Sequence, residues 1–554
     1  MFKYILILVF SISLLSSERP NIIIIITDDL GWGDVSYNGG PINTPNIDKL
    51  AHNGLQMNRF YSAPTCSPTR AALFTGINSL KNGIIRPLNN PTAERYGLPL
   101  KHKILPEYLK EIGYQTALSG KWHLGMFSDE YLPRNRGFES TYGHLGGGIG
   151  YFDHALSGRL DWHRNGEILY EDGYSTTLIA DEAIRIIENK KNETPLFLYV
   201  AFNAPHTPIQ AEEKIINNLS DISDKKERVY AANIITLDRE IGKIIDAIES
   251  KGILNETIII FFSDNGPVFD IDPIAATIAP DILDSKGNTL GLKGSKGSAY
   301  EGGIRVPAVI YYKGILEKSL SNQFFFVDDI LPTLFGALGI NPNQNNITGV
   351  NRWNDLIKNE IKPPKNVMTG NVIVHDERAL FNDKWKLYYR NFVYDENSEK
   401  IFELYDVNDD PYEKYELSEK YPDVFESMIK TFDENPLIIE TPYINPVQSY
   451  LYGDRYIGIT DSPWLERTYK EKELPHPIVQ NLVFGWIIFL TFKHIIIPVL
   501  ILLTLILPFF CTILDTPFGI ILYFSIACAE ATSISSQTLY LFSSDQILTN
   551  SFLE

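Results

Sequence analysis

The strongest constraint on the fold of this 554-residue chain is a set of unbroken β-branched and aromatic runs. Residues 21–27 read NIIIIIT, 194–201 read TPLFLYVA and 257–263 read TIIIFFS. A strand with one face in water alternates apolar and polar side chains; these runs do not, so both of their faces must be covered. Strands of that kind belong to largely parallel sheets with helices on either side. Helical patterns at 177–190 and 226–250 supply the covering layers, and 115–119 adds a shorter strand-like piece. The expected fold is α/β over residues 19–365, a mostly parallel sheet sandwiched by helices. A smaller α+β subdomain is expected at 366–470, with strand-like pieces at 385–389 and 401–405 and a helix near 421–432.

The two ends read differently. Residues 1–17 combine Lys3, an apolar run and the small residues Ser16 and Ser17, the pattern of a secretory signal peptide. An apolar C-terminal tail spans 478–530, with runs at 478–492 and 495–514 separated by Lys493 and His494. The second run has the length of about 20 residues that a membrane-spanning helix needs. Membrane association of the tail is therefore expected, with the number and orientation of its segments left open. Asn192, Asn218, Asn255 and Asn346 each head a glycosylation triplet. They fit the secretory pathway, whether lysosome, endoplasmic reticulum lumen or cell surface and extracellular space. A net charge of −19 argues against nucleic acid as a partner, and an anionic substrate would have to be gripped by local cations. With 44% hydrophobic and 21% charged residues the chain is not disordered. Of its three cysteines two lie in the tail, so Cys66 stands alone and no disulfide framework is possible.

Chemistry collects where the apolar strands end. The first runs into Thr27-Asp28-Asp29, and the strand at 257–263 runs into Asp264-Asn265-Gly266. Parallel sheets bind ligands beyond the carboxyl ends of their strands. Either acidic pair alone reads as a turn or helix cap. Two of them, each ending a buried strand, predict an oxygen-ligated cation site suited to Ca²⁺ or Mg²⁺ and not to zinc. The same rim gathers Gly120-Lys121-Trp122-His123, Asn203-Ala204-Pro205-His206 and the glycine-rich Lys293-Gly294-Ser295-Lys296-Gly297. Together these residues make a pocket for a tetrahedral oxyanion. In Cys66-Ser67-Pro68-Thr69-Arg70, Pro68 suits the first turn of a helix that Gly76 can end. Cys66 then sits at a helix N-terminus, where an anion is favoured, so a plain thiol there is expected to have a lowered pKa. A reactive, partnerless thiol in an exported protein would oxidise.

The segment Cys66-Ser67-Pro68-Thr69-Arg70 resembles the Cys-x-Pro-x-Arg signature of the type I sulfatases, in which the cysteine becomes Cα-formylglycine in the endoplasmic reticulum. Thr69 stands where animal members commonly have serine. Residues 20–33 (PNIIIIITDDLGWG), 121–125 (KWHLG), 204–208 (APHTP), 263–266 (SDNG) and 296–305 (KGSAYEGGIR) resemble the family's other blocks in order. The stretch 196–210 has an arylsulfatase B-like flavour. The resemblance implies an alkaline-phosphatase-like fold and one Ca²⁺ held by Asp28, Asp29, Asp264, Asn265 and residue 66. It implies that Asp264 takes a proton as a hydroxyl of hydrated formylglycine attacks sulfur. His206 and Lys296 would serve the leaving oxygen, Lys121 and Arg70 would position the diol, and His123 would take the proton that releases sulfate. A further sulfate ligand is expected from Asp153 or His154. The implied partners are a formylglycine-generating enzyme during maturation and a sulfated small molecule or glycan, such as an N-acetylgalactosamine 4-sulfate-type glycan. Trp162 and Tyr151 are candidates to stack on a sugar or aryl ring. Two other readings use the same residues: a phosphate or phosphonate ester hydrolase, and a catalytically dead membrane-tethered binding protein. The oligomeric state is not indicated.

Overall fold

The three apolar runs become neighbouring strands. In the computed structural model, Asn21–Thr27 lies between Leu196–Ala201 and Thr257–Ser263, parallel to both. Gln115–Gly120 joins beyond Leu196–Ala201, and Ser140–Gly143 beyond that, again parallel. These five contiguous strands form the parallel heart of a ten-stranded sheet among the described residues; the next strand on the other flank, Ala308–Tyr311, is antiparallel. The structure describes residues 19–88, 97–126, 128–156, 158–269, 285–340, 346–373, 375–393 and 398–435, all within one compact unit. The expected signal peptide, the part of the C-terminal subdomain beyond 435 and the apolar tail lie outside them. Among the described residues no helix is long and apolar enough to cross a membrane.

The absence of alternation has the cause inferred from it. Ile22, Ile24 and Ile26 enter one core with Phe197, Tyr199, Ile260 and Phe262, packed against Leu73 and Phe74. Ile23 and Ile25 enter a second core on the other face with Leu198, Val200 and Phe261. That face is covered by the helices Ser175–Glu188 and Lys225–Ser250, which contribute Ile179, Ile186, Leu237 and Ile244. Successive strand residues point to opposite faces, so two apolar layers require an unbroken apolar run.

A four-stranded antiparallel sheet follows, made of Val367–Val372, His375–Asn382, Trp385–Phe392 and Ile401–Asp406. The helix Pro422–Asp433 covers one of its faces, where Met428 and Phe432 meet Leu387, Tyr389 and Leu404. The other face sets Phe381, Tyr388 and Tyr405 against Tyr61, Ile304 and Phe326 of the larger sheet's surroundings.

Ile24 is fully buried at the centre of the large sheet. Ile24→Ala should lower the unfolding free energy by about 2–5 kcal/mol, read as a shift in urea midpoint; a loss under about 1 kcal/mol would contradict this packing.

Candidate active site

The five parallel strands end level, and this convergence creates the site. Thr27 pairs with Ser263, Ile26 with Ala201, and Ala201 with Gly120. The residues just beyond are stitched across the ends: Asp264 N–H donates to Thr27 O (3.0 Å), Lys121 N–H to Ala201 O (2.8 Å) and Phe202 N–H to Ile26 O (2.9 Å). Gly120 makes the turn into Lys121 at φ +115°, and a Cβ there would lie 1.9 Å from Ala201 O. Only glycine fits that crossing.

The Cys66–Thr75 helix opens on Cys66 and closes at Gly76, which adopts φ +65°. Its first turn points into the strand ends. Arg70 donates through Nε (3.1 Å) and a terminal nitrogen (2.8 Å) to Asp264 Oδ2, and its other terminal nitrogen reaches Lys121 O (3.1 Å) and Tyr199 OH (3.2 Å). Cys66 Sγ lies 3.2 Å from His123 Nδ1. Ser67 Oγ donates to His123 O (2.9 Å), holding a histidine whose backbone sits at φ +57°. Asp29 is likewise left-handed at φ +68° and is held by Asn265 Nδ2 (2.7 Å to Oδ1). Non-glycine residues pay for such backbone only where surrounding bonds fix them, commonly at functional sites.

Three acids face three bases in one-to-one pairs: Arg70 with Asp264 at 2.8 Å, Lys296 with Asp29 at 2.7 Å, and Lys121 with Asp28. Cys66, Arg70, Lys121, His123, Asp28, Asp29, Asp264 and Asn265 are all at most 2% exposed. The side chains of His206 and Lys296 are 20% and 15% exposed. The site therefore meets solvent on the side of those two residues. His206 Nε2 is 3.8 Å from Asp29 Oδ2, and its Nδ1 contacts Thr207 O at 2.6 Å, which assigns the proton to Nδ1.

The donor set fits a hard divalent cation. Donor atoms of Asp28, Cys66 and Asp264 lie within 4.8 Å of one another, as do those of Asp28, Asp29 and His206. Asp28 Oδ1 and Asn265 Oδ1 are buried with no hydrogen-bond partner, a costly state for polar oxygens unless a ligand satisfies them. Burial and the charge of Asp28 push the Asp264 carboxyl up, against Arg70 and Lys121. Burial would raise Asp28 too, but Lys121, His206, Arg70 and Lys296 outweigh it and hold that carboxyl well below its ordinary value. Two acids so placed compete for one charge, and a cation between them removes the conflict.

Three expectations need correction. The Cys66 thiol is shifted up and not down: burial outweighs the attraction of Lys121 and Lys296. Asp153 and His154 are occupied elsewhere. Asp153 Oδ1 accepts from Ala155 N–H (3.1 Å), while His154 stacks on Trp162 at 4.5 Å and contacts Gly173 O at 3.1 Å. From that stretch it is Gly148 that meets the site, where a Cβ would lie 2.9 Å from the His206 ring. Trp162 and Tyr151 are wholly buried, so neither offers a face to a ligand. The structure adds Tyr199 and Ser67 to the site. Tyr199 reads as strand core, and only the Arg70 contact gives its hydroxyl a role.

A family model described as Sulfatase matches residues 20–340. The chain belongs to the sulfatase family. This sulfatase is 28% identical to mouse arylsulfatase J over 509 residues, covering 82% of each chain. It is 30% identical to human N-acetylgalactosamine-6-sulfatase over 366 residues, covering 62% of this chain and 67% of that protein. Among solved structures, Ps i-CgsB in complex with k-i-k-neocarrahexaose aligns at TM-score 0.68 and 29% identity, covering 80% of this chain and 99% of that one. The PsFucS1 sulfatase from Pseudoalteromonas sp. aligns at TM-score 0.62 and 25% identity, covering 77% and 93%. The fold is the alkaline-phosphatase-like arrangement of these enzymes, and the sulfatase is a sulfuric ester hydrolase.

Any Cys66 left as a thiol should resist iodoacetamide in the folded sulfatase at neutral pH and react on denaturation, as followed by peptide mass spectrometry. Rapid labelling of the folded protein would contradict the burial and the upward shift of the thiol.

Proposed function

We propose that the sulfatase hydrolyses aryl or carbohydrate sulfate monoesters to an alcohol or phenol and inorganic sulfate, with Cys66 converted to Cα-formylglycine and with Ca²⁺ as the metal. The observation that carries this reading is the meeting of Asp28, Cys66 and Asp264 at the opening of the Cys66–Thr75 helix. Asp28, Asp29, Asp264, Asn265 and residue 66 would hold Ca²⁺, which supplies positive charge for the sulfate oxygens. The hydrated aldehyde offers one hydroxyl as nucleophile and a second whose proton can be removed to expel sulfate.

The remaining work falls to side chains. Lys121 and Arg70 fix residue 66 and carry charge next to it. Asp264 accepts the proton of the attacking hydroxyl, a role suited to a carboxyl that burial pushes up. Lys296 and His206 stand on the open side and act at the leaving oxygen, so the alcohol departs toward solvent. Burial keeps the His123 imidazole neutral. At 3.2 Å from Cys66 Sγ it can take the proton of the second hydroxyl. Overall the S–O bond to the alcohol breaks, water supplies the new sulfate oxygen, and the alcohol keeps one of water's protons.

The family and its named relatives support sulfate over phosphate, and the site carries the positive charge that an oxyanion needs. Three carboxylates cancel three cations, leaving the two positive charges of a divalent ion. A sulfate monoester brings one negative charge and is attracted to that surplus, and passing the nucleophile's proton to Asp264 leaves the sum unchanged. All the motif residues are in place, which argues against a catalytically dead protein. Carbohydrate substrates are supported by the sugar named with Ps i-CgsB and by the relative named N-acetylgalactosamine-6-sulfatase. We place the sulfatase in the secretory pathway, tethered by its apolar tail; Asn192, Asn218, Asn255 and Asn346 are all exposed, as glycan attachment requires.

Mass spectrometry of the peptide containing residue 66, from protein made with a formylglycine-generating enzyme, should find the aldehyde or its hydrate. Cys66→Ala and Asp264→Ala should fold yet lose turnover by at least about 10³-fold on the best of a panel of glycosaminoglycan oligosaccharide, steroid and aryl sulfates. An unmodified thiol throughout, or substantial turnover by Cys66→Ala, would overturn the reading.

A further inference from the structure

The loop that carries Lys296 is gripped from behind by the small C-terminal sheet and by the loop that follows its last strand. Toward the site, Lys296 N–H donates to Pro267 O (2.8 Å) and Gly297 N–H to Pro64 O (2.8 Å), two residues before Cys66. Away from the site, the grip is made by three carboxylates. Glu377 Oε2 accepts from Ala299 N–H (3.1 Å) and Tyr388 OH (2.9 Å). Glu413 Oε2 accepts from Glu301 N–H (2.7 Å). Glu403 Oε2 accepts from Tyr300 OH (2.6 Å) and Lys293 Nζ (3.1 Å). Tyr300 also stacks on Tyr388 with ring centroids 3.7 Å apart.

This is an expensive way to hold a loop. Glu413 and Lys386 form an ion pair at 2.7 Å with Glu301, itself 3.0 Å from Lys386, and the side chains of all three are wholly buried. Burying charges is costly, and apolar side chains would attach the loop at least as firmly. Glu413 also holds a left-handed backbone at φ +54°. What the carboxylates add is direction: Glu377 and Glu413 bond backbone N–H groups three and five residues beyond Lys296, and Glu403 bonds the side chains of Lys293 and Tyr300 on either side of it.

We propose that Glu377, Glu403 and Glu413 are positioning residues for Lys296: the C-terminal sheet sets where that ammonium stands relative to Asp29 and the leaving oxygen. The part played by Lys296 in turnover rests on the function proposed above, whereas the grip itself can be tested without turnover.

Hydrogen exchange read by mass spectrometry on residues 293–303 tests the grip directly. Glu403→Gln, at a side chain 24% exposed and so tolerant of change, should speed exchange there by about tenfold while residues 21–27 stay as in the parent. Lys384→Met, at a side chain 39% exposed in a turn between two strands of the same sheet, should change neither. In kinetics, Glu403→Gln should lower kcat by about tenfold at little-changed KM, more for phenyl sulfate than for the better leaving group of 4-nitrocatechol sulfate. It should cause no further loss in a Lys296→Met background. Unchanged exchange in Glu403→Gln overturns the grip whatever the activity, and additive losses with Lys296→Met overturn its action through Lys296. Faster exchange together with an unaltered leaving-group dependence in Lys296→Met keeps the grip and removes Lys296 from the leaving group.

Discussion

Two carboxylates at the ends of adjacent, register-matched strands set the terms for everything around them. Thr27 faces Ser263, so Asp28 and Asp264 leave the sheet side by side at the strand spacing of about 4.8 Å. Neither has access to water. Acids so placed repel one another unless positive charge enters between or beside them. Each has its own base, Lys121 for Asp28 and Arg70 for Asp264, yet Asp28 Oδ1 still lacks a partner. The geometry of the sheet thus calls for a cation, and the cation with its three flanking bases calls for an anion.

The same demand explains the strained backbone. Asp29 and His123 both take left-handed conformations where a strand gives way to the rim, which turns their side chains back over the strand ends. Asn265 and Ser67 hold them there through one hydrogen bond each. Lys296 also pairs with Asp29, and Leu145 O accepts from His123 N–H, so several contacts together preorganise the two residues. Burial then tunes the groups: it keeps His123 uncharged and the thiol of Cys66 protonated, so the unmodified cysteine is a poor nucleophile in this position.

Much of this was legible in the sequence because it depends on local rules. NIIIIIT, LFLYVA and TIIIFFS declare strands covered on both faces, and each polar residue that ends them must fall on one rim. Asp28, Asp264, Lys121 and His206 are found by that reasoning alone. It fails where the third dimension decides. The direction of the Cys66 shift turns on burial, which a helix N-terminus does not reveal. Asp153 and His154 look like ligands, but a turn and the Trp162 ring claim them, and the featureless Gly148 is what reaches His206. Val367–Val372 and His375–Asn382 carry Thr, Gly, Asn, Asp, Glu and Arg, so their strand character comes from pairing and not from composition. The grip of Glu377, Glu403 and Glu413 on the Lys296 loop joins residues about a hundred positions apart, and no spacing rule connects them.

The most direct measurement is the anomalous scattering of crystals grown with Ca²⁺. The account predicts one peak with the oxygens of Asp28, Asp29, Asp264 and Asn265 at about 2.3–2.6 Å, and residue 66 completing its shell. Crystals in which that position stays empty at millimolar Ca²⁺, with Asp28 and Asp264 each satisfied by protein alone, would contradict it.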